Sequence, residues 1–168
     1  MNRLLFVPLL LLSFQLFSQD DIIKVGHTIP NFAITTKDGK KMDASSLKNK
    51  VVLINFFATW CGPCLAELPL LQSKIWEKYK DNPDFVLLVI GRDHSEEELN
   101  AFKEKNKFTL PMYPDKEKIV YSLFANQYIP RNYLIGKDGK VVFNSMGFTP
   151  DDFNSLVKKL KKLLDNKD

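Results

Sequence analysis

Two nearly continuous apolar runs stand out along the chain, Val51–Phe57 and Phe85–Ile90. Runs of this length that are rich in β-branched and aromatic residues are typical of strands buried on both faces, as in a parallel sheet. A helix is predicted between them, from Cys61 to about Lys80, because apolar residues recur there at helical spacing. These residues are Leu65, Leu68, Leu71, Ile75 and Tyr79. Pro69 predicts a kink in this helix, because proline removes one backbone donor.

Turn and cap signals predict the remaining elements. Ser-Glu-Glu-Glu at 95–98 is a capping box, which predicts a helix to about Lys105. Two Lys-Asp-Gly-Lys tetrapeptides, at 37–40 and 137–140, predict hairpin turns, since Asp-Gly is favoured there. The other predicted elements are strand Asn31–Thr36, extended segment Leu110–Tyr113, helix Lys116–Phe124, strands Asn132–Ile135 and Val141–Ser145, and a final helix that begins at Pro150. This order predicts a single α/β domain with a mixed sheet.

The first residues differ in pattern from the rest of the chain. Arg3 is followed by an apolar run from Leu4 to Phe17 and then by polar residues. This order is typical of a secretory signal peptide, and the run is shorter than the roughly 20 residues that a membrane-spanning helix needs. We therefore expect a signal peptide over residues 1–18, a folded domain over residues 19–168, and export to the bacterial periplasm or cell envelope. An uncleaved membrane anchor is the alternative.

The composition is that of an ordinary folded domain. Apolar residues make up 45% of the 168 residues and charged residues 26%, a balance that allows a substantial buried core. The net charge of +4 is too small to indicate a nucleic-acid surface. We therefore expect no nucleic-acid partner, and we expect the protein to be a monomer.

The candidate chemistry lies in the two cysteines, Cys61 and Cys64, which form a Cys-Gly-Pro-Cys motif where a helix is predicted to begin. The unpaired first-turn amides of a helix and its dipole favour a thiolate at Cys61. The outer sulfur can then attack a disulfide, and the inner sulfur can resolve the mixed disulfide. Pro63 presets a helical backbone, and Gly62 adds no bulk beside the attacking sulfur. The motif predicts a redox-active disulfide that works without a cofactor.

Other roles for this cysteine pair fit its position less well. A structural staple gains little, because stabilisation grows with loop length and this loop is minimal. A zinc site needs about four ligands, and only His27 and His94 remain as further soft candidates. A buried, inert pair gives no reason for the position at a helix start. We therefore expect no metal, and we expect His94 to be a loop residue without special chemistry.

The apolar strand that runs into the motif Cys61–Cys64, together with Ile129-Pro130 before a later strand, resembles thioredoxin. About residues 24–165 are similar to the exported TlpA/ResA-like branch of the thioredoxin-fold thiol-disulfide oxidoreductases. The resemblance implies a thioredoxin-like three-layer α/β/α fold with a mixed central sheet. That branch adds an N-terminal β-hairpin and a helical insertion, for which Asn31–Asp43 and Ser95–Leu123 are the matching segments.

A group that accepts the proton of Cys64 is needed for disulfide exchange. Thioredoxin uses a buried aspartate six residues before the first cysteine, where this chain has Asn55, which cannot titrate. Glu67 follows Cys64 by three residues and therefore lies on the same helix face. The TlpA/ResA branch has glutamate at this position, so the resemblance implies a proton relay with a raised pKa. Alternatively, Glu67 only interacts with the helix dipole.

The resemblance also implies a partner surface. It places Ile129-Pro130 opposite Cys61 with a cis bond, so that the Ile129 backbone can pair with an extended substrate; an ordinary strand-entry proline is the alternative. The family commonly has threonine next, but this chain has Arg131, which we expect either to favour the thiolate, to select an acidic partner, or to be a solvated edge charge. Trp60 is expected either to cover the site or to pack in the core.

These features predict an exported reductase of protein disulfides that receives electrons from a membrane dithiol donor. Its substrates are expected to include proteins of cytochrome c maturation. The residues expected to contact the substrate are Trp60, Gly62, Pro63, Ile129, Pro130 and Arg131. Three alternatives use the same motif: a disulfide oxidant or isomerase, a peroxidase, and a redox-silent binding domain. The peroxidase is disfavoured because its Pro-x-x-x-Thr-x-x-Cys loop would need Thr where the chain has Ala58.

Overall fold

The computed structural model describes residues 22–36 and 39–165, so the predicted signal peptide, residues 1–18, lies outside the described residues. The strands are β1 (Ala33–Thr35), β2 (Lys41–Asp43), β3 (Val51–Phe57), β4 (Phe85–Arg92), β5 (Met112–Asp115), β6 (Arg131–Ile135) and β7 (Val141–Met146). The α-helices are α1 (Gly62–Leu71), α2 (Glu77–Tyr79), α3 (Glu96–Asn106), α4 (Ile119–Phe124) and α5 (Pro150–Asp165). No helix among the described residues combines the length and apolarity needed to cross a membrane.

The central sheet has five strands in the order β5-β4-β3-β6-β7. The β3–β4 and β4–β5 pairs are parallel, whereas β3–β6 and β6–β7 are antiparallel. The predicted mixed sheet is therefore confirmed. The segment predicted as extended around Leu110–Tyr113 forms the edge strand β5. The N-terminal hairpin is also present, because β1 pairs with β2 in an antiparallel arrangement.

The sheet is covered on both faces, which gives the three layers that the resemblance implied. β3 is buried at all seven positions, as expected for a central strand. Residues from α1, α3 and α5 pack against one face of the sheet: Cys64, Leu68, Leu71, Leu99, Phe153, Leu156 and Leu160. Residues from β1, α4 and the segment before β1 pack against the other face: Phe32, Ile34, Val120, Tyr121 and Phe124.

The helix after the cysteines is less regular than predicted. α1 ends at Leu71 and is followed by a π-helical turn, Gln72–Trp76, before α2 completes the run. Pro69 lies inside α1 and cannot donate a backbone hydrogen bond. The side chain of Ser73 donates to the Pro69 carbonyl at 2.9 Å. The π-helical turn begins three residues after Pro69.

One predicted helix begins later than expected. The helix predicted over Lys116–Phe124 begins only at Ile119, because Lys118 has a left-handed backbone with φ of 57°. The buried Asp115 carboxylate accepts hydrogen bonds from the first amides of α4, so this acid sets the start of the helix. In the first predicted hairpin turn, Lys37 and Asp38 lie outside the described residues.

Candidate active site

The two cysteines lie where β3 ends and α1 begins, and they are joined by a disulfide. Cys61 precedes the helix and is 6% exposed, whereas Cys64 lies in its first turn and is fully buried. The Sγ of Cys61 accepts a hydrogen bond from the Cys64 backbone amide at 3.2 Å. This amide and the helix dipole both favour negative charge on the Cys61 sulfur. The pair therefore has one outer and one inner sulfur.

A second chain segment lies against the outer sulfur. The Ile129-Pro130 bond is cis, and the Ile129 carbonyl oxygen lies 3.7 Å from Cys61 Sγ. Pro130 is buried, whereas Ile129 is half-buried, immediately before β6. The fold thus brings this proline to the cysteine motif, where the resemblance places it. The Ile129 backbone borders the reacting sulfur, as needed for pairing with an extended substrate.

Exposed apolar side chains adjoin the cysteine motif and the segment that contains Ile129. Trp60 is 63% exposed next to Cys61, so it is a surface residue rather than a core residue. Tyr128 is 59% exposed next to Ile129, and the sequence interpretation did not identify it. Leu65 belongs to the predicted apolar stripe of the helix, but it is 42% exposed. Gly62 and Pro63 are also exposed.

Behind the inner cysteine, Glu67 forms a buried network with two asparagines. Its side chain is 2% exposed, and Asn55 and Asn132 are equally enclosed. The Asn55 amide donates to Glu67 Oε2 at 2.9 Å, and the Asn132 amide donates to Oε1 at 2.7 Å. Asn55 also donates to Asn132 Oδ1 at 2.9 Å. Each carboxylate oxygen therefore has its own amide donor.

The register of the sheet builds this network. Asn55 on β3 and Asn132 on β6 are directly opposite each other in the antiparallel pair. Burial raises the pKa of Glu67 from its ordinary value of 4.5 to about 7, and the hydrogen bonds from Asn132 and Asn55 offset the effect of burial only in part. A carboxyl group with this pKa can accept a proton and release it again near neutral pH.

Asn132 was not recognised as part of the site from the sequence. The available signal was a polar residue in the run Arg131–Ile135, which is buried at all five positions. A buried amide needs hydrogen-bond partners, and here these are Glu67 and, at 3.3 Å, the hydroxyl of Ser145. Such a residue indicates a polar partner on a neighbouring element, but only the strand pairing identifies that partner.

The interpretations of Arg131 as a solvated edge charge or as a contact that selects a partner at the surface are wrong. The residue is 1% exposed. Its guanidinium donates to the Gln127 carbonyl from Nε at 2.9 Å and from Nη2 at 2.8 Å, and to the Tyr128 carbonyl from Nε at 3.3 Å. Arg131 therefore binds the backbone of the segment that leads into Pro130. Its side chain is enclosed because every position of β6 is buried.

His94 lies in a loop, as predicted, but the sequence did not reveal its contacts. It is 5% exposed, and its Nε2 accepts a hydrogen bond from the Thr59 backbone amide at 2.9 Å. Thr59 lies two residues before Cys61. Among the described residues, no group of three or more His, Cys, Asp or Glu side chains could hold a metal ion, and the contacts of His94 are those of a structural side chain.

Comparisons with known proteins agree with this geometry. A family model described as the AhpC/TSA family matches residues 25–144. The chain is 32% identical over 170 aligned positions to the thiol-disulfide oxidoreductase ResA of Bacillus thuringiensis, covering 95% of this chain and 97% of that protein.

Solved structures show the same fold. A candidate protein disulfide isomerase from Bacteroides thetaiotaomicron superimposes with a TM-score of 0.82 at 37% identity, covering 87% of this chain and 93% of that one. A candidate thiol:disulfide interchange protein DsbE from Chlorobium tepidum has a TM-score of 0.74 at 26% identity, covering 84% and 99%. The chain therefore belongs to the AhpC/TSA family, as a thioredoxin-fold, ResA-like thiol-disulfide oxidoreductase.

Proposed function

We propose that the protein is an exported reductase of protein disulfides, with Cys61 as the attacking sulfur, Cys64 as the resolving sulfur and Glu67 as the proton acceptor. The observation that carries the proposal is the arrangement of the two sulfurs. Cys61 retains 6% exposure and has a helix-start amide directed at its sulfur, whereas Cys64 is fully buried on the helix that also carries Glu67.

The proposed reaction uses the reduced protein. The Cys61 thiolate attacks one sulfur of a substrate disulfide, which forms a mixed disulfide and releases the other substrate sulfur as a thiolate. Cys64 loses its proton and attacks Cys61 Sγ, which breaks the mixed disulfide and releases the second substrate sulfur. The substrate is thereby reduced by two electrons, and the Cys61–Cys64 disulfide is formed. A dithiol donor then reduces this disulfide again.

Glu67 supports the resolving step. Cys64 is fully buried, so a nearby buried group must take its proton. Glu67 follows it by one turn of α1, and burial raises the pKa of Glu67 to about 7. The carboxylate is therefore a stronger base than an exposed glutamate, while the amides of Asn55 and Asn132 keep it oriented.

The substrate is proposed to be an extended, disulfide-bearing protein segment. It would pair with the Ile129 backbone, which borders Cys61 Sγ, and pack its apolar side chains on Trp60. Gly62, Pro63 and Pro130 are proposed to complete the substrate contact around the Cys61 sulfur. The similarity to ResA-like proteins extends the proposal to export, to a membrane dithiol donor, and to substrates of cytochrome c maturation. We expect the protein to act as a monomer.

A second candidate function is disulfide formation or isomerisation. The relative from Bacteroides thetaiotaomicron, at 37% identity, is a candidate protein disulfide isomerase. The same residues serve both directions, and the reduction potential decides between them. A reductase is expected near the thioredoxin value of about −270 mV, and an oxidant near the DsbA value of about −120 mV. Equilibration with glutathione or dithiothreitol buffers measures this potential.

The proposal is tested by trapping. Cys64→Ala should accumulate mixed disulfides through Cys61, because the resolving sulfur is absent, and mass spectrometry of a cell-envelope extract then identifies the partners. Cys61→Ala is the matched control and should trap far less, because its remaining sulfur is buried. If both variants trap the same partners equally, or if neither traps any, then the assigned roles of the two sulfurs are incorrect.

A further inference from the structure

The side chain of His94 joins two loops beside the disulfide. The first loop connects β3 to α1 and carries Thr59, Trp60 and Cys61, and the second connects β4 to α3 and carries His94. Because β3 and β4 are parallel neighbours, both loops leave the same edge of the sheet. His94 Nε2 accepts the Thr59 amide proton at 2.9 Å and joins them.

The Thr59 amide has no strand partner. The pairing of β3 with β4 ends at Phe57, two residues earlier. The imidazole of His94, and not a strand carbonyl, is therefore the acceptor for the Thr59 amide. The turn that contains Thr59 is closed by a hydrogen bond in which the Cys61 amide donates to the Ala58 carbonyl at 3.2 Å. The histidine contact therefore acts on the short turn that directly precedes the attacking sulfur.

Only one form of His94 can make this contact. A neutral imidazole that accepts at Nε2 carries its proton on Nδ1. That Nδ1 has no hydrogen-bond partner among residues 22–36 and 39–165, and it lies 3.7 Å from Glu98 Oε2. If His94 is protonated, Nε2 becomes a donor that faces the Thr59 donor, and the contact is lost. The new charge would instead face the Glu98 carboxylate.

Among the described residues, the charged groups near His94 come from α3 and from the end of β4. Glu98 comes from α3, where it also accepts the Ser95 amide in the capping box. At the end of β4, Asp93 is paired with Lys118 at 3.1 Å and lies 3.6 Å from Arg92. From β3, the uncharged ring of Phe57 lies 6.4 Å from the imidazole. Of these charged groups, Glu98 is the one that forms an ion-pair contact with the imidazole.

We propose that His94 is a positioning residue for thiol–disulfide exchange. Neutral His94 holds Thr59 and thereby the Trp60 contact surface and Cys61, and protonation of the imidazole would remove the hydrogen-bond acceptor. The inference adds a pH-sensitive contact between the α3 region and the active site. It concerns the oxidoreductase activity of the family and does not depend on the direction of electron flow.

The test uses the full chain with three variants. His94→Gln keeps an oxygen acceptor near the Thr59 amide but cannot titrate, His94→Leu removes the acceptor, and His27→Gln changes the other histidine, which is exposed. In the oxidised protein neither cysteine titrates, so the NMR shift and hydrogen exchange of the Thr59 amide report on the contact. The rate of insulin disulfide reduction at constant pH reports on its consequence.

We expect the Thr59 amide of His94→Leu to exchange about fivefold faster or more, as for the loss of one hydrogen bond. Insulin reduction should slow by a similar factor, about fivefold, and His94→Gln should restore most of it. On acidification, the Thr59 shift should follow the His94 ring resonances in the parent and in His27→Gln, but not in His94→Gln. An identical pH course in His94→Gln and the parent, or a His94→Gln enzyme as slow as His94→Leu, would overturn the proposal.

Discussion

Glu67→Gln provides the most direct test of the buried acid. Glutamine has nearly the same volume but carries no charge, so the variant removes the cost of ionising a carboxyl group inside the domain. Burial raises the pKa of Glu67 from 4.5 to about 7 in the folded protein. Each pKa unit corresponds to about 1.4 kcal/mol, so ionisation of Glu67 costs about 3 kcal/mol of folding free energy.

The sign of the pH dependence follows from proton binding. Between pH 4.5 and about 7, the folded protein holds the Glu67 proton more tightly than the unfolded chain does. The free energy of unfolding therefore falls as the pH rises through this window, and the full cost of about 3 kcal/mol is present above it. Glutamine does not ionise, so the free energy of unfolding of Glu67→Gln should not fall in this way. One amide of Asn55 or Asn132 would face the new NH₂ group, but that cost does not vary with pH.

Urea unfolding of the oxidised protein measures this difference. Far-ultraviolet circular dichroism at pH values from 4 to 8, at constant ionic strength, gives the free energy of unfolding of the parent and of Glu67→Gln. Glu104→Gln, at an exposed position of α3, is the matched control and should follow the parent. Parallel stability curves for the parent and Glu67→Gln between pH 4.5 and 7 would show that the carboxyl group is not desolvated as described.

The other predictions concern the neighbours of the site. Asn132→Leu removes an amide that lowers the pKa of Glu67, so the midpoint of the pH–rate profile for disulfide exchange should move to higher pH. An unchanged midpoint would exclude Asn132 from the network. Arg131→Met removes the donors to the Gln127 and Tyr128 carbonyls, and should lower the free energy of unfolding by about 1–3 kcal/mol in urea titrations. If Arg131 were a solvated surface charge, its replacement would leave the free energy of unfolding almost unchanged.

Local patterns identified the central parts of this protein. The apolar runs that became β3 and β4 are recognisable because strands buried on both faces need apolar residues at every position. The cysteine motif follows β3 directly, and Glu67 lies one turn beyond it, so their proximity depends on helix geometry alone. The capping box at Ser95 was predicted correctly for the same reason, because both of its hydrogen bonds join residues within one turn.

The errors occurred where a residue's role depends on a distant segment. A solvated edge charge was one of the alternatives for Arg131 because a charged residue is rarely buried, but its guanidinium binds the Gln127 carbonyl of the preceding loop. His94 is a loop residue as predicted, but its hydrogen bond to Thr59 was not recognised because Thr59 lies 35 positions earlier in the chain. Leu65 fitted the helical stripe by spacing, although only the docking of α1 on the sheet decides which side is covered.

The sequence by itself determined which residues carry the chemistry, because a reactive thiol pair needs only a strand end and a helix start, and both are local. The tertiary structure alone decided what surrounds that pair. Antiparallel pairing of β3 with β6 places Asn132 opposite Asn55 and so completes the environment of Glu67. The cis segment at Ile129-Pro130 reaches the outer sulfur in the same way. Contacts of this kind depend on strand order and register, which are set by packing of the whole domain.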